Sequence, residues 1–302
     1  MDSGKAMLFA ALAAVTVMFL AVWIRAARRA RSPMRVAPTA LELAVGFVTN
    51  FFDTLGIGSF APTTSMFKLW RMVPDERIPG TLNVGHTAPT VAEALIFIAI
   101  VNVGMATLAG LIAASVAGAW LGAGVVAALP RRKVQLGMGG ALLVAAALFV
   151  MTNLRLLPGG GDTLGLEGWR FAAGLAGNFV LGSLMTLGIG LYAPCMMLVS
   201  LLGMSPIAAF PIMMGSCAFL MPVGSLRFIE KDSYSLRAAL GLAAGGVPGV
   251  LIAAFIVKSL PLTALRWVVV AVVLYAAVAM LRSARGVGDG DIVPSAVPPA
   301  VP

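Results

Sequence analysis

Residues 54–62 read TLGIGSFAP and residues 186–194 read TLGIGLYAP, a phrase in which seven of nine positions are identical at an offset of 132 residues. The likeness runs outward from the phrase. At the same offset Phe47 meets Phe179, Met72 meets Met204, Pro74 meets Pro206 and Pro79 meets Pro211. With the offset slipped to 131, Gly118 meets Gly249, and the Leu-Pro pair at 129–130 meets that at 260–261. Prolines and glycines held in register over such a length mark two related halves, roughly 40–155 and 170–283.

Composition says what medium these halves occupy. Apolar residues make up 60% of the 302 and charged residues 11%, with a mean hydropathy of +0.99, so a water-soluble surface could not be covered. Apolar stretches long enough to cross about 30 Å of hydrocarbon recur at 6–24, 82–101, 103–129, 134–154, 171–187, 207–226, 238–257 and 263–281. Their Gly and Ala richness is that of helices packing closely in lipid, not of alternating barrel strands. The expected fold class is therefore all-α, a polytopic transmembrane bundle.

A net charge of +9 raises nucleic acid as a partner, and the placement of the charge argues against it. Basic residues sit at the ends of apolar segments. With the N-terminus outside, 16 of the 21 Lys and Arg face the cytoplasm, and Lys5, Arg155, Arg170, Lys258 and Arg266 lie outside. The C-terminus is then cytoplasmic. Residues 1–36 are read as an uncleaved anchor helix with a basic cytoplasmic stop, Met34 being an alternative start. Residues 156–169 form an external linker and 284–302 a disordered Gly/Pro/Asp-rich tail. Cys195 and Cys217 both fall in apolar segments and are read as buried thiols. No cofactor and no metal site is expected. The 17 Met residues, clustered at IMMGSCAFLMP, are read as packing and not as a soft-metal path.

Each half reads as the same series of elements. A helix of about 16 residues (41–56; 172–188) runs into the phrase, a shorter helix follows (62–72; 194–203), and three longer helices complete the half. The short pair, whether re-entrant or tilted, returns the chain to the side it entered, and three further crossings leave the second half inverted. Short Gly/Pro-interrupted segments at matching positions point to a binding site at the repeat interface. Gly56, Gly58, Gly188 and Gly190 allow backbone conformations that a side chain forbids. Pro62 and Pro194 suit a first helical turn, behind which free N–H groups and the positive end of a helix dipole attract anions. Thr63, Thr64 and Ser65 offer hydroxyls from one half, Cys195 a weaker donor from the other, and Asn50 is a candidate direct ligand. The competing explanation is that the glycines and prolines only shape a hairpin and let helices pack.

The stretches GFVTNFFDTLGIGSFAP, IPGTLNVGH, NFVLGSLMTLGIGLYAP and FPIMMGSC resemble the TauE/SafE (sulfite exporter-like) membrane transporter family over residues 40–283. The resemblance implies a bacterial inner-membrane permease of two repeated halves for small anions such as sulfite, sulfonates, thiosulfate or organic anions. Ser59 and Leu191 follow the second glycine where the family more commonly carries a further one.

Ionisable groups inside the bilayer count as functional candidates. The first half holds Glu42, Asp53, His86 and Glu93, and the second puts Met185, Ala218 and Ser225 opposite the last three. Glu42, Gly46, Asn50 and Asp53 share one helix face, as do Asn83, His86, Thr90 and Glu93, so two polar stripes are expected to face each other or a wet cavity. Asp53, His86 and Glu93 are the candidate proton-coupling groups, with Asp53 changing its repulsion of an anion on protonation and His86 relaying the proton. Helix-packing hydrogen bonds are the plainer explanation for His86, Glu93 and Glu42. Protons and sodium ions are the candidate coupling ions, and self-association into a homo-oligomer is allowed. The chain is not expected to be an enzyme. Its rivals are an intramembrane hydrolase built on Ser59 and His86, which the second phrase lacks, and a channel-type or regulatory subunit.

Overall fold

A computed structural model describes residues 3–29, 37–74, 77–127, 161–185 and 191–259, with scattered positions between 132 and 156 and between 267 and 285. Gly188, Gly190, the basic segment 30–36 and the tail beyond Arg285 lie outside the described residues, and the expected spans 134–154 and 263–281 are described only at scattered positions. The described residues are helical apart from connections and one isolated bridge between Thr163 and Met204. In chain order the helices are α1 (Ser3–Arg29), α2 (Ala40–Thr54), α3 (Phe60–Leu69), α4 (Ile78–Ile100), α5 (Met105–Ala127), α6 (Gly168–Met185), α7 (Tyr192–Leu201), α8 (Ala209–Glu230) and α9 (Leu236–Ser259). Among the described residues, four helical stretches are long and apolar enough to cross a membrane: Ser3–Arg29, Ile78–Ile100, Pro206–Glu230 and Leu236–Ile256. The chain is a multi-pass α-helical membrane protein.

The short pairs fall where glycine and proline place them. α2 stops at Thr54, the first residue of the phrase, and α3 begins at Phe60, with Pro62 in its first turn. α6 and α7 repeat the arrangement, with Pro194 in the first turn of α7.

The helices cluster into two compact units, one of residues 1–100 with 217–258 and the other of residues 101–216 with 259–302. In the first unit α2, α4 and α9 run parallel. Their starts meet where Arg237 Nε donates to Glu42 Oε1 at 2.9 Å and the Ser235 N–H donates to Thr81 Oγ1 at 2.9 Å. Glu42 also closes a capping box on α2, accepting from the Thr39 N–H at 2.7 Å while Thr39 Oγ1 accepts from the Glu42 N–H at 3.2 Å. From there α9 climbs along α2 on small residues. A Cβ at Gly249 would fall on the Phe47 carbonyl, one at Gly246 on the Asn50 amide and the Pro89 ring, and one at Gly46 2.7 Å from the Leu242 carbonyl oxygen. Packing this close is what glycine supplies in a medium where burial alone does not drive helices together.

In the second unit α5 runs parallel to α6. A Cβ at Gly118 would fall on the Phe179 carbonyl and one at Gly182 on the Ser115 carbonyl, while Asn178 Nδ2 donates to the Leu111 carbonyl at 2.6 Å. These contacts pair residue for residue with those of the first unit. Phe47 with Gly249 maps onto Phe179 with Gly118, Asn50 with Gly246 onto Gly182 with Ser115, and Gly46 with Leu242 onto Asn178 with Leu111, by the offsets of 132 and 131. In each unit, therefore, the helix that precedes the glycine-rich phrase of one half is covered by a helix of the other half.

Two further features complete the units. α1 packs on the first through Phe19 and Trp23, whose rings lie 5.4 Å apart, in a cluster with Val84 of α4, Ile229 of α8, Tyr234, and Ala239 and Ala243 of α9. Only 17% of its most apolar window is buried, against 78% for the span ending at Glu230, so α1 is a peripheral helix with apolar faces outward. In the second unit the linker is pinned at several points. The Gly104 N–H donates to the Leu164 carbonyl at 2.7 Å, the Leu166 N–H to Thr107 Oγ1 at 2.8 Å, and the Ser205 N–H to the Thr163 carbonyl at 2.9 Å.

Candidate functional site

The first phrase folds back on the helix that leads into it. The Gly56 N–H donates to the Asp53 carbonyl at 2.7 Å and the Ile57 N–H to the Phe52 carbonyl at 3.1 Å, closing the end of α2. Gly56 then adopts φ +96° and Gly58 φ +89°, conformations that L side chains disfavour. A Cβ at Gly58 would meet nothing within 4 Å, so backbone strain and not crowding selects glycine there. Ser59 stands at the start of α3, its carbonyl accepting from the Thr63 N–H at 3.0 Å. The Asp53 side chain accepts hydrogen bonds from both the hydroxyl and the backbone N–H of Ser59. The positive start of α3, expected to face a foreign anion, is thus held by a carboxylate of the chain itself.

Around this turn the two polar stripes meet. Asn50 Oδ1 lies 3.0 Å from His86 Nδ1, and Thr63 Oγ1 lies 3.0 Å from His86 Nε2. Asn50 Nδ2 donates to the Gly46 carbonyl at 2.7 Å. Thr54 Oγ1 lies 2.7 Å from Glu93 Oε1 and 2.8 Å from the Asn50 carbonyl. The Phe60 ring sits 5.9 Å from the imidazole. Asn50, Asp53, Thr54, Ser59, Thr63, His86, Thr90 and Glu93 are all buried.

Of the expected site residues the structure therefore brings together Asn50, Asp53, Gly56, Gly58, Thr63, His86 and Glu93 in the first unit. Pro62 and Thr64 are half-buried in the first two turns of α3, and the side chain of Ser65 lies outside the described residues. Pro194 and Cys195 are buried on α7 in the second unit. There α7 begins at Leu191 with no side-chain cap, and Met185 takes the place that Asp53 holds on α2. Asn83 bonds its own helix, donating to the Pro79 carbonyl at 2.9 Å.

Thr54 escaped the reading of the sequence, and Ser59 stands there only as a departure from the glycine pattern and as a hydrolase nucleophile. Thr54, one turn beyond Asn50 on the same face, was visible by spacing, whereas Ser59 as the partner of Asp53 depends on how the turn folds. The hydroxyl and the ring that a hydrolase would use have other partners in this geometry. Ser59 gives its hydroxyl to Asp53, and both ring nitrogens of His86 are engaged by Asn50 and Thr63. Among the described residues no group of three or more His, Cys, Asp or Glu could hold a metal ion.

Residues 170–301 match the family model described as Sulfite exporter TauE/SafE. Searches of curated proteins and of solved structures give no significant match.

Proposed function

We propose that this chain, whose second half carries a TauE/SafE domain, is a permease for small anions, sulfite or a related sulfur oxyanion among them, driven by protons. The observation that carries the reading is the buried Asp53 carboxyl on the start of α3, inside a cluster that also holds His86 and Glu93. Titratable groups inside an apolar bundle cost free energy to bury, which makes this cluster the leading candidate for function.

The chemistry follows from the competition for one helix start. While ionised, Asp53 fills the place beside the Ser59 N–H and repels a second negative charge. Protonation removes that charge and frees the amide end of α3, with Gly56 and Gly58 leaving the backbone open to approach. An anion then binds with the proton, and loss of the proton to the far side expels it. The substrate contacts on this reading are the backbone of the turn, the Thr64 hydroxyl and the first turn behind Pro62, with Gly188, Gly190, Pro194 and Cys195 as their counterparts in the second half. Residues 40–155 and 170–283 are taken as halves of opposite orientation in the bacterial inner membrane, N-terminus outside and C-terminus cytoplasmic.

Flux of sulfite, thiosulfate and a small sulfonate into proteoliposomes under an imposed pH gradient tests the reading. Wild-type uptake is expected to follow the proton gradient and saturate with substrate. Asp53→Asn is expected to carry the anion without response to the gradient. Unchanged pH dependence in that variant eliminates Asp53 as the coupling group, and absence of flux for every anion under either gradient sign eliminates the permease.

A further inference from the structure

The hydrogen positions in the Asn50–His86–Thr63 chain are fixed by counting donors. Asn50 spends its Nδ2 on the Gly46 carbonyl, so Oδ1, an acceptor only, faces His86 Nδ1. Nδ1 must therefore carry a hydrogen. Thr63 has one hydroxyl hydrogen and two acceptors within reach, the Ser59 carbonyl at 2.8 Å and His86 Nε2 at 3.0 Å. That carbonyl also receives the Thr63 N–H at 3.0 Å, so it stays partnered whichever way the hydroxyl points.

Both protonation states of the ring fit these same heavy-atom positions. In the neutral ring, Nδ1–H donates to Asn50 and Nε2 accepts from the Thr63 hydroxyl. In the imidazolium, Nε2–H donates to Thr63 Oγ1, and the hydroxyl hydrogen swings to the Ser59 carbonyl. We infer that Thr63 is a hydroxyl rotor that lets His86 take up and give back a proton at Nε2 with no movement of heavy atoms. It is thus a positioning residue for the proton and not a ligand of the anion. The inference deepens the proton-coupled reading above and rests on it for its use in transport. As chemistry of the ring it stands alone.

Four other helices contribute to the surroundings of the ring. α2 faces the ring with Asn50 and carries Asp53, bonded to Ser59, one turn further along. α3 contributes Thr63 and the Phe60 ring. α4 itself carries Glu93, partnered with Thr54 of α2. α9 lays Gly246 against Asn50, and α8 sets Ser225 3.4 Å from Thr87. Among the described residues, Asp53 and Glu93 are the titratable groups that the elements packed against the ring bring to this cluster, and both are acidic.

His86 is the only histidine in the chain, so protein labelled with 15N-histidine in lipid nanodiscs gives one pair of ring signals. The neutral ring is expected to carry its hydrogen on Nδ1 and, on acidification, to gain one reversibly at Nε2. In Thr63→Val the doubly protonated signal is expected to vanish from the range where wild type shows it, and Thr63→Ser is expected to restore it. A neutral ring protonated on Nε2, or Thr63→Val titrating as wild type, overturns the inference. If Thr63→Val does not fold, the wild-type tautomer and Thr63→Ser still decide. The ring is read without substrate, so flux indifferent to pH refutes the coupled transport while leaving the rotor standing, and the reverse outcome removes the rotor alone.

Discussion

Gly58 and Gly118 are small for different reasons, and substitution separates them. Gly58 needs its positive φ and has open space where a Cβ would go, so Gly58→Ala costs the left-handed strain alone, about 1–2 kcal/mol. At Gly118 a Cβ would collide with the Phe179 backbone, which cannot swing aside as a side chain would. Gly118→Val is therefore expected to force α5 from α6, destabilising by roughly 3 kcal/mol or more, at the upper end of overpacking. Thermal unfolding in detergent measures both, and a smaller loss for Gly118→Val than for Gly58→Ala contradicts the assignment. The sequence already made the glycines of the first phrase conspicuous, since two of them precede a proline in an apolar chain. What it could not reveal is that Asp53 turns back onto Ser59, because that contact depends on the turn between them.

Among the elements, α2 shows most clearly what patterning reveals and what it hides. Its polar face was legible because Glu42, Asn50 and Asp53 stand out on an apolar background at helical spacing. Their partners were only half legible, as the stripe on α4 announces His86 and Glu93, whereas Arg237 on α9 announces nothing. Arg237 is 46% exposed and Glu42 1%, so the pair is a buried carboxylate reached by a half-exposed arginine. Arg237→Ala leaves Glu42 Oε1 without this donor while the Thr39 cap remains, and a loss of about 1.5 kcal/mol is expected, the low end of the range for hydrogen bonds to charged groups because the arginine is half-exposed. Removing the cap by Thr39→Ala is expected to cost about 1 kcal/mol. Denaturation of the two single variants and the double variant checks this, and additive losses would show that cap and arginine act on Glu42 independently.

At the scale of the whole molecule, the duplication is legible in the sequence but its consequence for packing is not. Nothing in the order of residues says that α9 of the second half covers α2, or that α5 of the first half covers α6, because both pairings join distant segments. The contacts nevertheless obey the same offsets as the letters. A chain cut within 157–160 and expressed as two pieces is therefore expected to assemble only when both pieces are present, with either alone degraded. Accumulation of one piece alone in protease-resistant form would refute the mutual covering.

The distance between Glu42 and Arg237, 195 residues along the chain, also sets a clock on biogenesis. At roughly 5–20 residues per second, α2 leaves the ribosome about 10–40 s before the helix that seats on Gly46, Phe47 and Asn50 is made. For that interval Glu42 has its Thr39 cap but not Arg237, and the Gly46–Asn50 stretch lacks the helix that seats on it, in a medium that offers no water in its place. Shelter of that stretch by the insertion machinery until α9 is made is the expected outcome. Ribosome-stalled chains ending before α9 should accordingly crosslink from position 46 to an insertase, and full-length chains should not.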